Sequence, residues 1–288
     1  MMVKEINQSI NHFLQHTPLF NDQIIDAAFL GSFSGHYGWK ETAFGDCDIW
    51  LYCNSIQSPD TWDHIYFFLE ALREHLQMAY PQILTVYEVA YGPYKPAVDI
   101  LDQELLFLHI TVDDQRSYEL HSDFTKLSWS KYPCYRNRGL LANLLVQNSP
   151  FTLDLYNAKF GISDGLTNLQ ERTVEIRKYD FSKKCMRTFS YHFGNHVFSE
   201  YMLYLAMTNA RNYFRAKGCS FADAMPNDAF VQEFCRITKI ESLIEIYRIK
   251  KRAERLGYGV ISQQTLLEAV YAFLNQLNAL WKTTILIS

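Results

Sequence analysis

Residues 29–53 read FLGSFSGHYGWKETAFGDCDIWLYC. Gly31 and Ser32 close one apolar run, and thirteen residues further on Asp46 and Asp48 flank Cys47 at the head of another. Side chains alternate between the two faces of a strand, so Asp46 and Asp48 share one face while Cys47 and Ile49 share the opposite, buried one. Two rises of about 3.3 Å put the two Cα atoms roughly 6–7 Å apart. Two carboxylates that close in an apolar strand repel, and one takes up a proton unless a cation intervenes. A hard divalent ion removes the conflict, and magnesium is commonly held by one or two carboxylates together with waters and substrate phosphates. Gly31 and Ser32 stand where a strand turns toward a short helix, a place where backbone N–H groups and a hydroxyl hold phosphate. Together the two elements fit nucleoside triphosphate chemistry, with phosphates against Gly31 and Ser32, metal on Asp46 and Asp48, and in-line attack by an acceptor oxygen.

Working outward, Val3, Ile6, Ile10, Phe13 and Leu14 recur at helical spacing and predict an amphipathic helix over 3–16, ended before Pro18. IIDAAFLG predicts a buried first strand and CDIWLYC a second. A helix follows, with Ser58 as its cap, Pro59 in its first turn, a stripe of Trp62, Ile65, Phe68, Leu69, Leu72 and Leu76, and an end by Pro81. ILTVYEVAYG, AVDIL and LLFLHITV supply three further strands, the last two joined by the turn DQE. Residues 113–139 mix turn and helix signals and read as a connection. Beyond them helical spacing predicts helices over 138–148, 152–158, 180–217, 227–237, 240–256 and 263–282. The fold class is α+β: a mixed sheet with flanking helices over 1–122, then a C-terminal α-helical bundle over 123–288.

Leu30-Gly31-Ser32, the thirteen-residue spacer and Asp46-Cys47-Asp48-Ile49 resemble the signature of the DNA polymerase β-like nucleotidyltransferase superfamily. Within it the stretch is most similar to antibiotic nucleotidyltransferases of the lincosamide and aminoglycoside type and to their minimal bacterial relatives, and the resemblance covers residues 24–112. It implies a nucleotidyltransferase palm and Mg-dependent transfer of a nucleoside monophosphate, AMP, from a nucleoside triphosphate to a hydroxyl of a small molecule such as an antibiotic. It also implies a third carboxylate on a later strand, which binds metal or takes the acceptor's proton. Asp99, between Val98 and Ile100, is the residue expected there, with Glu88 and His109 as alternatives. On this resemblance Asp46, Asp48 and Asp99 are catalytic and metal-binding, Gly31 and Ser32 bind the nucleotide, and Lys183 and Lys184 of RKYDFSKKCMR reach a phosphate from the helical part. The alternatives are nucleotidylation of a protein or RNA, and a catalytically dead interaction module of the same fold.

Composition narrows the partners. The 288 residues carry a net charge of −4, which gives no strong nucleic-acid signal. Six cysteines at irregular spacing form no CxxC pair and read as reduced, mostly buried thiols. The N-terminus lacks the apolar core of a signal peptide and no apolar run reaches membrane-spanning length, so a cytoplasmic monomer or homodimer without membrane contact is expected. Between Asp123 and Asp154 there is no acidic residue, while Lys126, Lys131, Arg136 and Arg138 alternate with Trp129, Tyr132 and Tyr135. Cations interleaved with aromatics suit phosphates and a stacked base.

Overall fold

The computed structural model describes residues 3–31, 34, 46–91, 105–121, 123–147, 155–217 and 225–284. Two compact units divide the chain, one drawn from residues 1–92, 102–151 and 177–189, the other from 93–101, 152–176 and 190–288. AVDIL, with Asp99, lies outside the described residues, as does Ser32; the backbone of Asp46 is described and its side chain is not.

A six-stranded mixed sheet runs in the order β1 (Ile24–Leu30), β2 (Asp46–Cys53), β4 (Leu105–Asp113), β3 (Leu84–Tyr91), β5 (Thr173–Asp180) and β6 (Cys185–His192). β1 is antiparallel to β2, β4 is parallel to both β2 and β3, and β5 is antiparallel to β3. The alternation expected of CDIWLYC is present. Cys47, Ile49, Leu51 and Cys53 join the core under α1 (Val3–His16) and α2 (Pro59–Ala79), whose Ile6, Ile10, Leu14, Ile65, Phe68, Leu69, Leu72 and Leu76 are fully buried. Trp50 faces the other way, into a smaller core with Ala28, Leu30, Tyr118 and Leu141. Ser58 is the N-cap residue of α2 by position, with Pro59 behind it, but its side chain makes no capping bond.

The connection after β4 holds α3 (Gln115–Glu119), α4 (Asp123–Trp129) and α5 (Leu140–Gln147). Asp114 starts α3 with a reciprocal capping box to Ser117. Residues 134–137 then return along the outer edge of β1. Cys134 bridges Ala28, and the buried Asp26 carboxylate accepts from the backbone N–H groups of Arg136 and Asn137 at 2.9 and 2.7 Å.

One expectation is overturned. Residues 180–217 are not one helix: β5, a four-residue turn and β6 precede α7 (His196–Ala216). In β5 Val174 and Ile176 are buried while Glu175 and Arg177 are exposed, a period of two rather than 3.6. Asp180 builds the turn, its carboxylate accepting from the Ser182 and Lys183 N–H groups and the Ser182 hydroxyl, and Lys184 adopts a φ of 52°.

In the second unit α6 (Leu155–Glu171) packs with α7, α8 (Asn227–Thr238), α9 (Ser242–Leu256) and α10 (Gln263–Thr284) around Phe198, Phe230, Phe234 and Phe273. The helix expected over 152–158 therefore extends to Glu171. Gly161 and Gly165 do not break it, because they sit where neighbouring helices come close: a Cβ on Gly165 would lie 2.4 Å from Leu205. Among the described residues no helix is long and apolar enough to cross a membrane, and Cys47, Cys53, Cys134, Cys185 and Cys235 are free thiols.

Candidate functional site

β1 ends at Leu30, and Gly31 turns the chain with a φ of 71°, a conformation that costs any residue with a Cβ. Space sets a second demand there. A Cβ on Gly31 would lie 2.2 Å from Asp48 Oδ2, so the carboxylate occupies the room that a side chain would take. The Ser34 hydroxyl donates to the Gly31 carbonyl at 2.8 Å and fixes the turn.

Asp48 is held by its register. It pairs with Leu30 across β1 and with His109 across β4, and His109 pairs with Glu88 on β3. Partners in register project to the same face, so Asp48, His109 and Glu88 form a polar row on the face that α1 and α2 leave uncovered. His109 Nδ1 lies 3.0 Å from Asp48 Oδ1, and its Nε2 lies 3.2 Å from the Ala90 carbonyl oxygen. A carbonyl only accepts, so Nε2 carries a hydrogen. The Asp48 side chain is 33% exposed and that of His109 11%, so the row opens to solvent at Asp48.

The row continues through Glu88 to β5, where Lys178 Nζ lies 2.8 Å from Glu88 Oε2. Lys178 is buried, and its ammonium stands 5.4 Å from the centre of the Phe189 ring on β6. Arg187 approaches the same ring at 5.2 Å and donates to Asp180 at 3.0 Å. Deeper on this face Asp113 is fully buried and accepts from Trp50 Nε1 and His121 Nε2, both at 2.9 Å. Burial, with the Asp113 charge beside it, pushes the Tyr118 phenol well above its ordinary range. These contacts lock Trp50, two residues from Asp48 on the same strand face.

The structure brings together Gly31, Asp48, His109 and Glu88. It does not bring Lys184 to Asp48. The Lys184 ammonium is held by the Asp63 carboxylate of α2 at 2.7 Å, on the helix-covered side of the sheet, and the Lys183 side chain is exposed in the turn. Trp62 stacks on Tyr179 at 3.6 Å with 5° between ring planes, and Phe181 packs edge-on against both, so aromatic contacts fasten the hairpin to α2. Lys178 is a basic residue that the hairpin sets on the Asp48 face, and the signal for it was the period-two pattern of TVEIRKYD. Asp46 opens β2 opposite Phe107, two positions before Asp48. Among the described residues no three His, Cys, Asp or Glu side chains cluster as metal ligands; Asp99 and the Asp46 carboxylate fall outside that set. Comparison with protein-family models, with curated proteins and with solved structures finds no match to the chain.

Proposed function

We propose that the chain is a Mg-dependent nucleotidyltransferase whose sheet is the palm of the polymerase β-like superfamily. It moves AMP from ATP to a hydroxyl of a small molecule, releasing pyrophosphate. The observation that carries this reading is the fit of the Asp48 carboxylate into the space left by Gly31. A glycine turn and an Asp-x-Asp strand thirteen residues apart in sequence become one cradle, which an ordinary turn and an ordinary edge strand do not require.

The donor set suits magnesium: the Asp48 carboxylate sets hard oxygen donors beside the Gly31 turn. Asp48 and Asp46 would hold the ion, with Asp99 as the third carboxylate. When bound, magnesium neutralises the triphosphate and the leaving pyrophosphate. Gly31 leaves room for Asp48 Oδ2, His109 fixes the other carboxylate oxygen, and Glu88 orients Lys178 toward the row. Lys178 then takes the phosphate-binding part that the sequence suggested for Lys183 and Lys184.

One observation favours a second reading, an inactive interaction module of the same fold: in the described residues His109, rather than a third carboxylate, contacts Asp48. Incubation with α-labelled ATP, magnesium and panels of lincosamides, aminoglycosides and cell extract separates the two. Label on a small molecule supports transfer, label kept in the macromolecular fraction supports a protein or RNA acceptor, and no label with any acceptor supports the inactive module.

A further inference from the structure

A cavity of about 480 Å³ opens beside Phe29 and Ser34, where residues 134–135 pair along the outer edge of β1. Its volume falls within the range of small-molecule sites, roughly 300–1,000 Å³. Phe29, from the core under α1 and α2, and Tyr132, from the smaller core on the other face, give it apolar edges where the two cores meet the rim of β1. Asn11 and Gln15 of α1 and Ser34 of the turn add polar edges. The Asn11 amide donates to the Asn7 carbonyl and side-chain oxygens at 2.8 and 2.9 Å, and its own oxygen accepts from the Tyr135 hydroxyl at 2.5 Å. That chain fixes the Tyr135 ring at the cavity wall.

Charge decides what such a cavity accepts. Arg138 stands exposed among the lining residues and makes no ion pair among the described residues. None of the described lining residues is acidic, and the segment that supplies Tyr132, Tyr135 and Arg138 has no acidic residue between Asp123 and Asp154. A guanidinium without a carboxylate partner favours an anion, and the apolar edges favour a flat ring.

We propose that this cavity binds a flat small molecule bearing a phosphate or carboxylate, its ring in the cavity and its anionic group on Arg138. Resting on the transfer reading above, it is the acceptor pocket, because Ser34 ties its edge to Gly31 and Gly31 borders Asp48. The acceptor is then a hydroxylated anion and not a polycation such as an aminoglycoside.

Ligand-observed NMR and calorimetry on the full chain, without nucleotide or metal, test the pocket with phenylphosphonate, benzoate and benzamidine, three compounds with one ring and different charge. The two anions should bind, and benzamidine at least about tenfold more weakly. Arg138→Gln should weaken phenylphosphonate about tenfold, and Arg138→Glu should reverse the preference toward benzamidine. Gln15→Trp, on an exposed position of α1, should block all three by filling the cavity. Equal binding of anion and cation, or unchanged phenylphosphonate affinity in Arg138→Gln, overturns the proposal. Asp48→Asn separates the two readings. Phenylphosphonate binding should persist in it, so an Arg138-dependent pocket in a protein that transfers no label upholds the pocket and removes only its assignment to an acceptor. Transfer of label to kanamycin overturns that assignment directly.

Discussion

Gly31 and Asp48 exclude a methyl group between them: a Cβ on Gly31 would fall 2.2 Å from Asp48 Oδ2. Gly194 offers the contrast. Its φ of 95° is also left-handed, yet a Cβ there would meet nothing within 4 Å. Gly194→Ala should therefore carry backbone strain alone, about 1 kcal/mol. Gly31→Ala adds displacement of a carboxylate and should cost about 2–4 kcal/mol. Denaturant unfolding of both variants checks the difference. Equal losses would mean that Asp48 moves aside freely and that the cradle is loose.

The Glu88–Lys178 pair should respond asymmetrically to its two deletions. Lys178 is the more buried partner, its side chain 11% exposed against 37% for Glu88. Removing the carboxylate leaves the more deeply buried cation without it, whereas removing the lysine leaves a glutamate whose side chain is partly in water although its Oε2 is buried. Glu88→Gln should cost about 1–2 kcal/mol and Lys178→Met less than about 1 kcal/mol. Melting curves of the two variants at pH 7 decide it, and a larger loss for Lys178→Met would place the strain elsewhere.

Asp180 makes a prediction in pH. The Ser182 hydroxyl and the Arg187 guanidinium hold its carboxyl down to about 2. A depressed carboxyl stabilises the folded turn above the ordinary aspartate value of about 3.9, and that contribution is lost as pH falls through the lower value. A carboxyl-carbon NMR titration should show Asp180 titrating near 2, with Arg187→Gln moving the midpoint upward. A midpoint unmoved by that variant would leave the turn's own hydrogen bonds as the whole cause.

The sheet and its two helices were legible because their signals are local. Cys47, Ile49 and Leu51 alternate with Asp48 and Trp50, and the stripe from Trp62 to Leu76 repeats at helical spacing, so each strip of sequence declares its own buried face. The hairpin was not legible. RKYDFSKKC carries a density of charge that suits an exposed helix, and the apolar residues that mark β5 as a strand, Val174 and Ile176, lie upstream of it. The contact of His109 with Asp48 was hidden for a different reason. It depends on the parallel register of β2 with β4, strands 52 residues apart at Cys53 and Leu105, and no local pattern specifies that register. Lys178 stood in view among the lysines of RKYDFSKKCMR, but its place on the Asp48 face was hidden with the hairpin that carries it.

In a transferase His109 and Asp99 should divide the work between metal binding and proton transfer. His109 touches Asp48 and the Ala90 carbonyl, so its loss acts on where the Asp48 carboxylate sits. His109→Phe keeps an aromatic ring, somewhat larger than imidazole, and removes both hydrogen bonds. It should therefore weaken binding of magnesium with a nonhydrolysable triphosphate, and the transfer rate should recover at saturating metal. Asp99→Ala should act at the other step. If Asp99 accepts the acceptor's proton, single-turnover transfer should slow by about two to four orders of magnitude, with nucleotide binding nearly unchanged. Asp48→Asn should abolish the calorimetric signal for metal with nucleotide, which sets the floor for the comparison. Matching melting curves keep loss of structure apart from loss of chemistry. Should His109→Phe lose the rate at every metal concentration while Asp99→Ala keeps it, the row across β2, β4 and β3 holds the reacting groups itself, and Asp99 has no part in the reaction.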